Sequence, residues 1–236
     1  MISMILLLLS ASAIIATNSP LQPANASNDI SFDNPERIAG TVDQDAEPPQ
    51  IAVSGRNAYI IWHEFPTAGA ADPDVFLSRS TNRGDDFGDR RNLSNSPAVD
   101  SSDEQIAVSG RNVYVVWSEN QDEILFRRST DGGASFRPAE KLSDAGGAVN
   151  PQIVASGRDV YVVWQANGQA GNTDIFFTQS NDRGRNFENE ENISKTDLDS
   201  EDPDIDLSGN KVIVAWRDMT TPVPRMDFDI FFTQGE

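Results

Sequence analysis

The residues best equipped for chemistry in this chain stand just after four tryptophans. They are His63 and Glu64 after Trp62, Glu119 after Trp117, Gln165 after Trp164, and Arg217 with Asp218 after Trp216. Carboxylates, one imidazole, one amide and one guanidinium suit a polar ligand. A sugar is one such ligand, and a cation held through bridging waters is another. These positions differ from one copy to the next, as a single asymmetric site requires and as variable solvated loops would also show. His63 is the one histidine of the chain; it could act as a ligand or base, or simply lie exposed beside Glu64. There is no Zn-type His/Cys cluster and no Gly-rich phosphate motif. The acidic stretches DLDSEDPD (197–204) and DQDAE (43–47) could offer oxygens to Ca²⁺, although neither fits an EF-hand loop.

These residues are positioned by a repeat. IAVSGRNAYIIW (51–62), IAVSGRNVYVVW (106–117), IVASGRDVYVVW (153–164) and IDLSGNKVIVAW (205–216) are copies of one unit, their tryptophans 55, 47 and 52 residues apart. A period of that size signals a solenoid, propeller or array, since one unit cannot bury its apolar faces alone. In the third unit PQIVAS (151–156) reads as a strand and Gly157-Arg158 as a tight turn, with glycine at the first central position of a type II′ hairpin. VYVVW (160–164) is apolar on both faces, as a strand sandwiched between sheets must be. DIFFTQS (174–180) follows a polar loop, and a last strand ends near residues 192–194. Four antiparallel strands in about fifty residues is the size of a propeller blade.

STNRGDDF (80–87), STDGGASF (129–136) and SNDRGRNF (180–187) lie between the third and fourth strands. They resemble the Asp-box, Ser/Thr-x-Asp-x-Gly-x-x-aromatic, of the bacterial neuraminidase repeat. The residues carrying the resemblance are Ser80, Asn82, Gly84 and Phe87, then Ser129, Asp131, Gly133 and Phe136, then Ser180, Asp182, Gly184 and Phe187. Asn82 stands where the family has Asp. The Asp or Asn side chain can bond amides of its own turn, the glycine can take a positive φ, and the phenylalanine can anchor the hairpin. The resemblance spans essentially all of the mature chain and implies an all-β, sialidase-like β-propeller.

Three complete blades end near Ser94, Ser143 and Ser194, and a fourth has strands only at 205–208, 212–216 and 229–234. SFDNPERIA (31–39) aligns with SFRPAEKLS (135–143), an outer strand. We therefore expect a four-bladed propeller closed by Phe32–Ala39 pairing with Asp229–Gln234. The alternative is an open half-ring, part of a larger propeller or dimerising into eight blades.

The resemblance further implies a site on the face that carries the loops between strands two and three, with the Asp-boxes structural. Asp74, Glu123, Asp174 and Asp229 recur at the start of strand three, so they are expected to serve the blades. A sialidase of the retaining type uses a Tyr nucleophile with a Glu, an Asp acid/base and three Arg on the substrate carboxylate. Tyr59, Tyr114 and Tyr161 sit within the apolar second strands, and Ile213 replaces them in the fourth copy. Arg56, Arg111 and Arg158 sit on the strand one–two turns, on the opposite face. The catalytic set does not carry over, so a binding or scaffolding module for glycans or extracellular proteins is expected. A glycosidase using carboxylates such as Glu64 and Glu119 or Asp218 is the other reading. Asn92-Leu93-Ser94 and Asn192-Ile193-Ser194 are glycosylation sequons that repetition explains equally well.

Composition sets the surroundings. The apolar run Ile5–Ile15 has signal-peptide length, and Ala24-Asn25-Ala26 supplies a cleavage pattern. Residues 1–26 are thus expected to be a signal peptide and 27–236 a secreted propeller domain without a transmembrane segment, monomeric if the ring closes and dimeric if it does not. The chain has no cysteine, so stability must come from packing. A formal net charge of −19 argues against nucleic acid and anionic membrane partners.

Overall fold

The computed structural model describes residues 31, 33–39, 46–65, 72–88, 90–96, 98–221 and 227–235. Residues 1–26, expected to be a signal peptide, and residues 43–45 of the DQDAE stretch lie outside them. The chain divides at Glu36 into two units. In the first, Ser31 and residues 33–36 are exposed and in no strand. The second holds every strand described.

Each repeat folds into an antiparallel sheet with its strands in chain order. Sheet I comprises β1 (Gln50–Ser54), β2 (Asn57–Glu64), β3 (Asp74–Ser80) and β4 (Arg91–Asn92). Sheet II comprises β5 (Ser101–Ser109), β6 (Asn112–Glu119), β7 (Glu123–Ser129) and β8 (Glu140–Lys141). Sheet III comprises β9 (Val149–Ser156), β10 (Asp159–Asn167), β11 (Thr173–Ser180) and β12 (Glu191–Asn192). Sheet IV has β13 (Ser200–Ser208), β14 (Lys211–Thr221) and β15 (Asp227–Gly235). The first hairpin of sheet III turns at Gly157, whose φ is 62° while Arg158 stays outside the left-handed region, as the expected turn requires.

The second strands explain why the sheets stack. Val113 to Trp117 are all buried, so β6 needs cover on both faces. Tyr59, Ile61, Val75 and Leu77 of sheet I pack on Val113, Val115 and Trp117 of sheet II. Tyr114, Val116 and Phe126 pack likewise on Val160, Val162 and Trp164 of sheet III. Val163 and Ile175 meet Val212, Val214 and Trp216 of sheet IV. The first strands β1, β5, β9 and β13 lie side by side in that order.

Exposed apolar side chains remain on the two outer sheets, although Ala58, Trp62 and Phe76, on the same face of sheet I as Ile51 and Val53, are buried. On sheet I, Ile51 is 66% and Val53 61% exposed; on sheet IV, Ile230 is 78% and Phe232 70% exposed. The expected closure by Phe32–Ala39 is not formed among the described residues. Phe32 lies outside them, residues 33–38 are in no strand, and sheet IV has three strands. The outer strands of sheets I to III pair through two residues each. So short an element contributes little pairing energy, and an alignment to it specifies little.

The Asp-box segments form three equivalent turns. In sheet II, Ser129 Oγ donates to Asp131 Oδ1 at 2.7 Å and accepts from Gly133 N at 2.8 Å, while Ser135 N donates to Asp131 Oδ1 at 2.9 Å. Ser180, Asp182 and Gly184 repeat the pattern, and so do Ser80, Asn82 and Gly84 with an amide oxygen in place of the carboxylate. Each turn is bonded to the first hairpin of its own sheet, through Arg83 N to Arg56 O, Gly132 N to Arg111 O and Arg183 N to Arg158 O. Phe136 and Phe187 pack against the cores, Phe187 edge-on to Phe126 at 4.9 Å. Bonds from the Ser135 and Ser129 hydroxyls and the Ser135 amide hold the Asp131 carboxyl well below the usual range.

The third-strand carboxylates anchor the outer strands. Asp74 Oδ2 accepts from Asn92 Nδ2 at 2.7 Å and its Oδ1 from Ser94 Oγ at 2.8 Å. Asp174 does the same with Asn192 and Ser194. Both sequon asparagines thus spend their amide groups on a buried carboxylate. Glu123 instead pairs with Lys141 at the surface, 2.7 Å away. Asp229 is exposed and opposite Asp218.

Sheet I already runs an Asn version of the turn, which sets an expectation. Asp131→Ala should cost about 1–2 kcal/mol of stability, the scale of a lost capping interaction. Asp131→Asn, which restores the oxygen used by Asn82, should recover most of it. Chemical denaturation of the two variants decides the point: equal stability of both would show that the side-chain oxygen contributes nothing.

Candidate functional site

The second strands run past their tryptophans, so the six candidate residues lie on strands and not in loops. Alternation along a strand then splits them into two groups.

Glu64, Glu119 and Asp218 stand two residues after tryptophan and share its face. Glu119 Oε2 accepts from Trp117 Nε1 at 2.7 Å and from Ser101 Oγ at 2.8 Å. Asp218, 2% exposed, accepts from Trp216 Nε1 at 3.4 Å. Glu64, 1% exposed, is ion-paired with Arg90, whose guanidinium also lies 4.8 Å over the Phe76 ring. Glu64, Glu119 and Asp218 were expected to converge with His63, Gln165 and Arg217 on one mouth. The three carboxylates are bound within their own sheets, because a carboxylate beside a buried indole must find a donor there.

His63, Gln165 and Arg217 stand one residue after tryptophan and face the other way. His63 Nδ1 is 2.8 Å from Glu104 Oε2 in sheet II, and that carboxylate is 3% exposed. Gln165 Oε1 accepts from Asp202 N of sheet IV at 2.8 Å and from Asn150 Nδ2 at 3.2 Å. Arg217 reaches Glu201 at 2.5 Å and Asp202 at 2.8 Å, with its guanidinium over Phe228. Ser118, the residue in this position in sheet II, is buried and donates to Ala148 O.

The partners of these side chains sit on irregularities shared by three sheets. The register shifts where β5, β9 and β13 begin, and Asp103, Asn150 and Asp202 take positive φ of 55°, 51° and 52° there. Asp and Asn tolerate that region better than most residues. The bulges bring the three residues close: Asn150 N lies 3.5 Å from Asp103 Oδ2 and Asn150 Nδ2 lies 3.4 Å from Asp202 Oδ1. Asp103 and Asn150 line a crevice of about 240 Å³ between sheets I, II and III, together with Gln50, His63, Gln105 and Gln152 among others. Asn150 is the one of these that reading the repeat for charge passes over. The parallel triplets Asp103-Glu104-Gln105, Asn150-Pro151-Gln152 and Asp202-Pro203-Asp204 near the start of the first strands are the signal that marks it.

Among the described residues no group of three or more His, Asp and Glu side chains is placed to hold a metal ion, and no helix is long and apolar enough to cross a membrane. The Tyr59 and Tyr114 side chains are buried, and burial raises their phenol pKa and that of Tyr161.

No family model and no curated protein matches this sequence. Solved structures do match it in fold. The Hadza microbial sialidase Hz136 superposes with a TM-score of 0.56 at 12% identity, over 78% of this chain and 43% of that one. A Trypanosoma rangeli sialidase in complex with sialic acid superposes with 0.55 at 12% identity, over 80% and 36%. Zg3597, a family 117 glycoside hydrolase from the marine bacterium Zobellia galactanivorans, gives 0.52 at 8% identity, over 79% and 67%. The chain spans less than half the length of the two sialidases. Its fold is that of the sialidase-like β-propellers.

The His63–Glu104 contact makes stability depend on pH. Burial alone would lower the His63 pKa, but the hydrogen bond to Glu104 and the charges of Glu104, Glu47 and Asp103 outweigh it and raise the value. A group with a raised folded pKa stabilises fully below its unfolded value of about 6.5 and loses that contribution as pH rises through the folded value. The melting-temperature difference between parent and His63→Gln should therefore be larger at pH 6 than at pH 9. A difference that is constant, or that grows with pH, would show that His63 binds its proton no more tightly in the folded chain.

Proposed function

We propose that this chain is an exported propeller module, its four sheets serving as blades, that binds a glycan in the crevice between sheets I, II and III without sialidase catalysis. The observation that carries the reading is the lining of that crevice. Gln50, Gln105, Asn150 and Gln152 offer amides, Asp103 a carboxylate and His63 an imidazole, all set on strands or bulges of a packed scaffold. Sugar hydroxyls need donors and acceptors fixed in this manner. Fold similarity to a sialidase bound to sialic acid and to a glycoside hydrolase is consistent with a glycan ligand. The absence of catalysis is supported by three observations. The tyrosines lie in the strands of the core, burial works against phenolate formation, and the carboxylates after the tryptophans are bound within their sheets. Residues 1–26 would direct export, and the Asp-box residues would hold the turns and take no part in binding.

The test is a glycan array with sialylated and neutral oligosaccharides, followed by titration calorimetry on the best ligand. Gln105→Ala and Gln152→Ala should each weaken binding about tenfold, a loss of roughly 1.4 kcal/mol. Their thermal unfolding should stay close to that of the parent. Fluorogenic sialosides and glycosides should not be turned over. Unchanged affinity in both variants would move the site elsewhere, and turnover above the buffer rate would replace the binding module with an enzyme.

A further inference from the structure

Three acidic residues of the bulged segments stand in or beside the crevice, and the chain supplies a cation to two of them. Glu104 Oε2 lies 2.8 Å from His63 Nδ1, and Asp202 Oδ2 lies 2.8 Å from Arg217 Nε. Asp103 is in no ion pair among the described residues. His63 feels its charge, but the imidazole spends its Nδ1 on Glu104. The Asn150 amide N–H reaches Asp103 Oδ2 only at 3.5 Å, beyond the usual range of about 2.7–3.2 Å. No Lys or Arg is among the described residues that line the crevice.

This carboxylate is held in place. Asp103 has a φ of 55° where β5 shifts register, and the next residue, Glu104, is 3% exposed. A half-buried charge on a fixed backbone favours a positive partner that brings its own donors. A divalent metal is poorly matched, since Ca²⁺ takes about six to eight oxygens and no group of three or more His, Asp and Glu among the described residues is placed to hold an ion. An ammonium needs less: one carboxylate and a few neutral acceptors. The side-chain carbonyls of Gln50, Gln105 and Gln152 line the same crevice. A carboxylate on the ligand would instead meet Asp103 as a like charge, which is costly in a confined site.

We propose that the crevice selects its sugar by a free amine: it takes a hexosamine unit without an acetyl group, the ammonium on Asp103, and rejects sialic and uronic acids. This rests on the glycan reading above and adds the class of sugar. At about 240 Å³ the crevice is smaller than the roughly 300–1,000 Å³ of most small-molecule clefts, so it takes one sugar unit of the glycan. The neighbouring amides of Gln105 and Gln152 are left for the hydroxyls of that unit.

Titration calorimetry with a glucosamine trisaccharide and its N-acetylated counterpart tests the proposal, at about pH 6, where an aliphatic amine carries its proton. The parent should bind the amine form about tenfold more tightly, the low end of what a charge-assisted hydrogen bond contributes. Asp103→Asn should bring the two affinities level. Asn accepts the left-handed backbone as Asp does, so thermal unfolding should stay close to that of the parent. Asp85→Asn removes the same unit of charge from an exposed position on the first Asp-box turn and should keep the parent's ratio. Sialyllactose should not bind the parent. Level affinities in the parent, or sialyllactose binding as tightly as the N-acetylated trisaccharide, would overturn the amine assignment and leave the glycan reading standing. So would a preference that survives Asp103→Asn or is lost in Asp85→Asn, as attraction to a chain of net charge −19 as a whole would give. Failure of every glycan to bind would overturn both.

Discussion

A strand that is apolar on both faces has to be covered twice, and the rest of this molecule depends on that requirement. In β6 the five residues from Val113 to Trp117 are all buried. Full burial of one such side chain is worth about 1.5–3 kcal/mol, so the strand favours stacking by several times that amount. Stacking then fixes the order of the sheets and places the first strands side by side. It also explains the Asp-box turns. A sheet packed by its broad faces needs its outer hairpins held down, and each turn bonds back to the first hairpin of its own sheet, while Gly133 and Gly184 of the second and third turns rest on an aromatic ring of the sheet before.

The same strands decide what chemistry can appear at the mouth. A period of two sends the second residue after tryptophan back beside the indole and sends the first toward the following sheet. Inward carboxylates are costly unless a donor meets them, and Trp117 and Trp216 supply one from the same strand. In sheet III the position is Ala166, and among the described residues the Trp164 indole N–H has no hydrogen-bond partner. Forward-facing side chains have a different task. His63, Ser118 and Gln165 each bond to the sheet that follows or to the segment leading into it, so a ligand in the crevice would meet groups already fixed by contacts between sheets.

What the sequence made legible follows from repetition. Four sheets, their hairpins at the glycine turns and the three turns beginning at Ser80, Ser129 and Ser180 were readable because each is stated several times and a chance match at one copy is checked by the others. The candidate site was half legible. Its residues were correctly tied to the tryptophans, but reading them as loop residues hid the alternation that separates His63 from Glu64 and Arg217 from Asp218. The strands continue because Glu64 pairs with Asp74 and Asp218 with Asp229, a pairing between polar residues that hydrophobic patterning does not reveal. The outer strand of sheet IV was the weakest inference for a related reason. Where an element is two residues long and half exposed, neither periodicity nor burial constrains it.

Arg217 carries the logic of the repeat to its last copy. Its counterparts in the first three sheets each find a partner ahead of them in the chain: His63 at Glu104, Ser118 at the Ala148 carbonyl and Gln165 at the Asp202 amide. Sheet IV has no following sheet among the described residues. Its forward-facing side chain turns back instead, onto Glu201 and Asp202 of its own first strand and across the ring of Phe228. Asp202 therefore joins both ends of this pattern, taking Gln165 of sheet III through its amide and Arg217 through its carboxylate. A long, permanently charged guanidinium is the side chain able to make that return. Glutamine or serine in the same place would leave two acidic residues close together without a cation. The identity of the residue after each tryptophan thus follows what lies in front of it. Arg217 meets its own sheet among the described residues, and the β15 face beside it keeps Ile230 and Phe232 exposed.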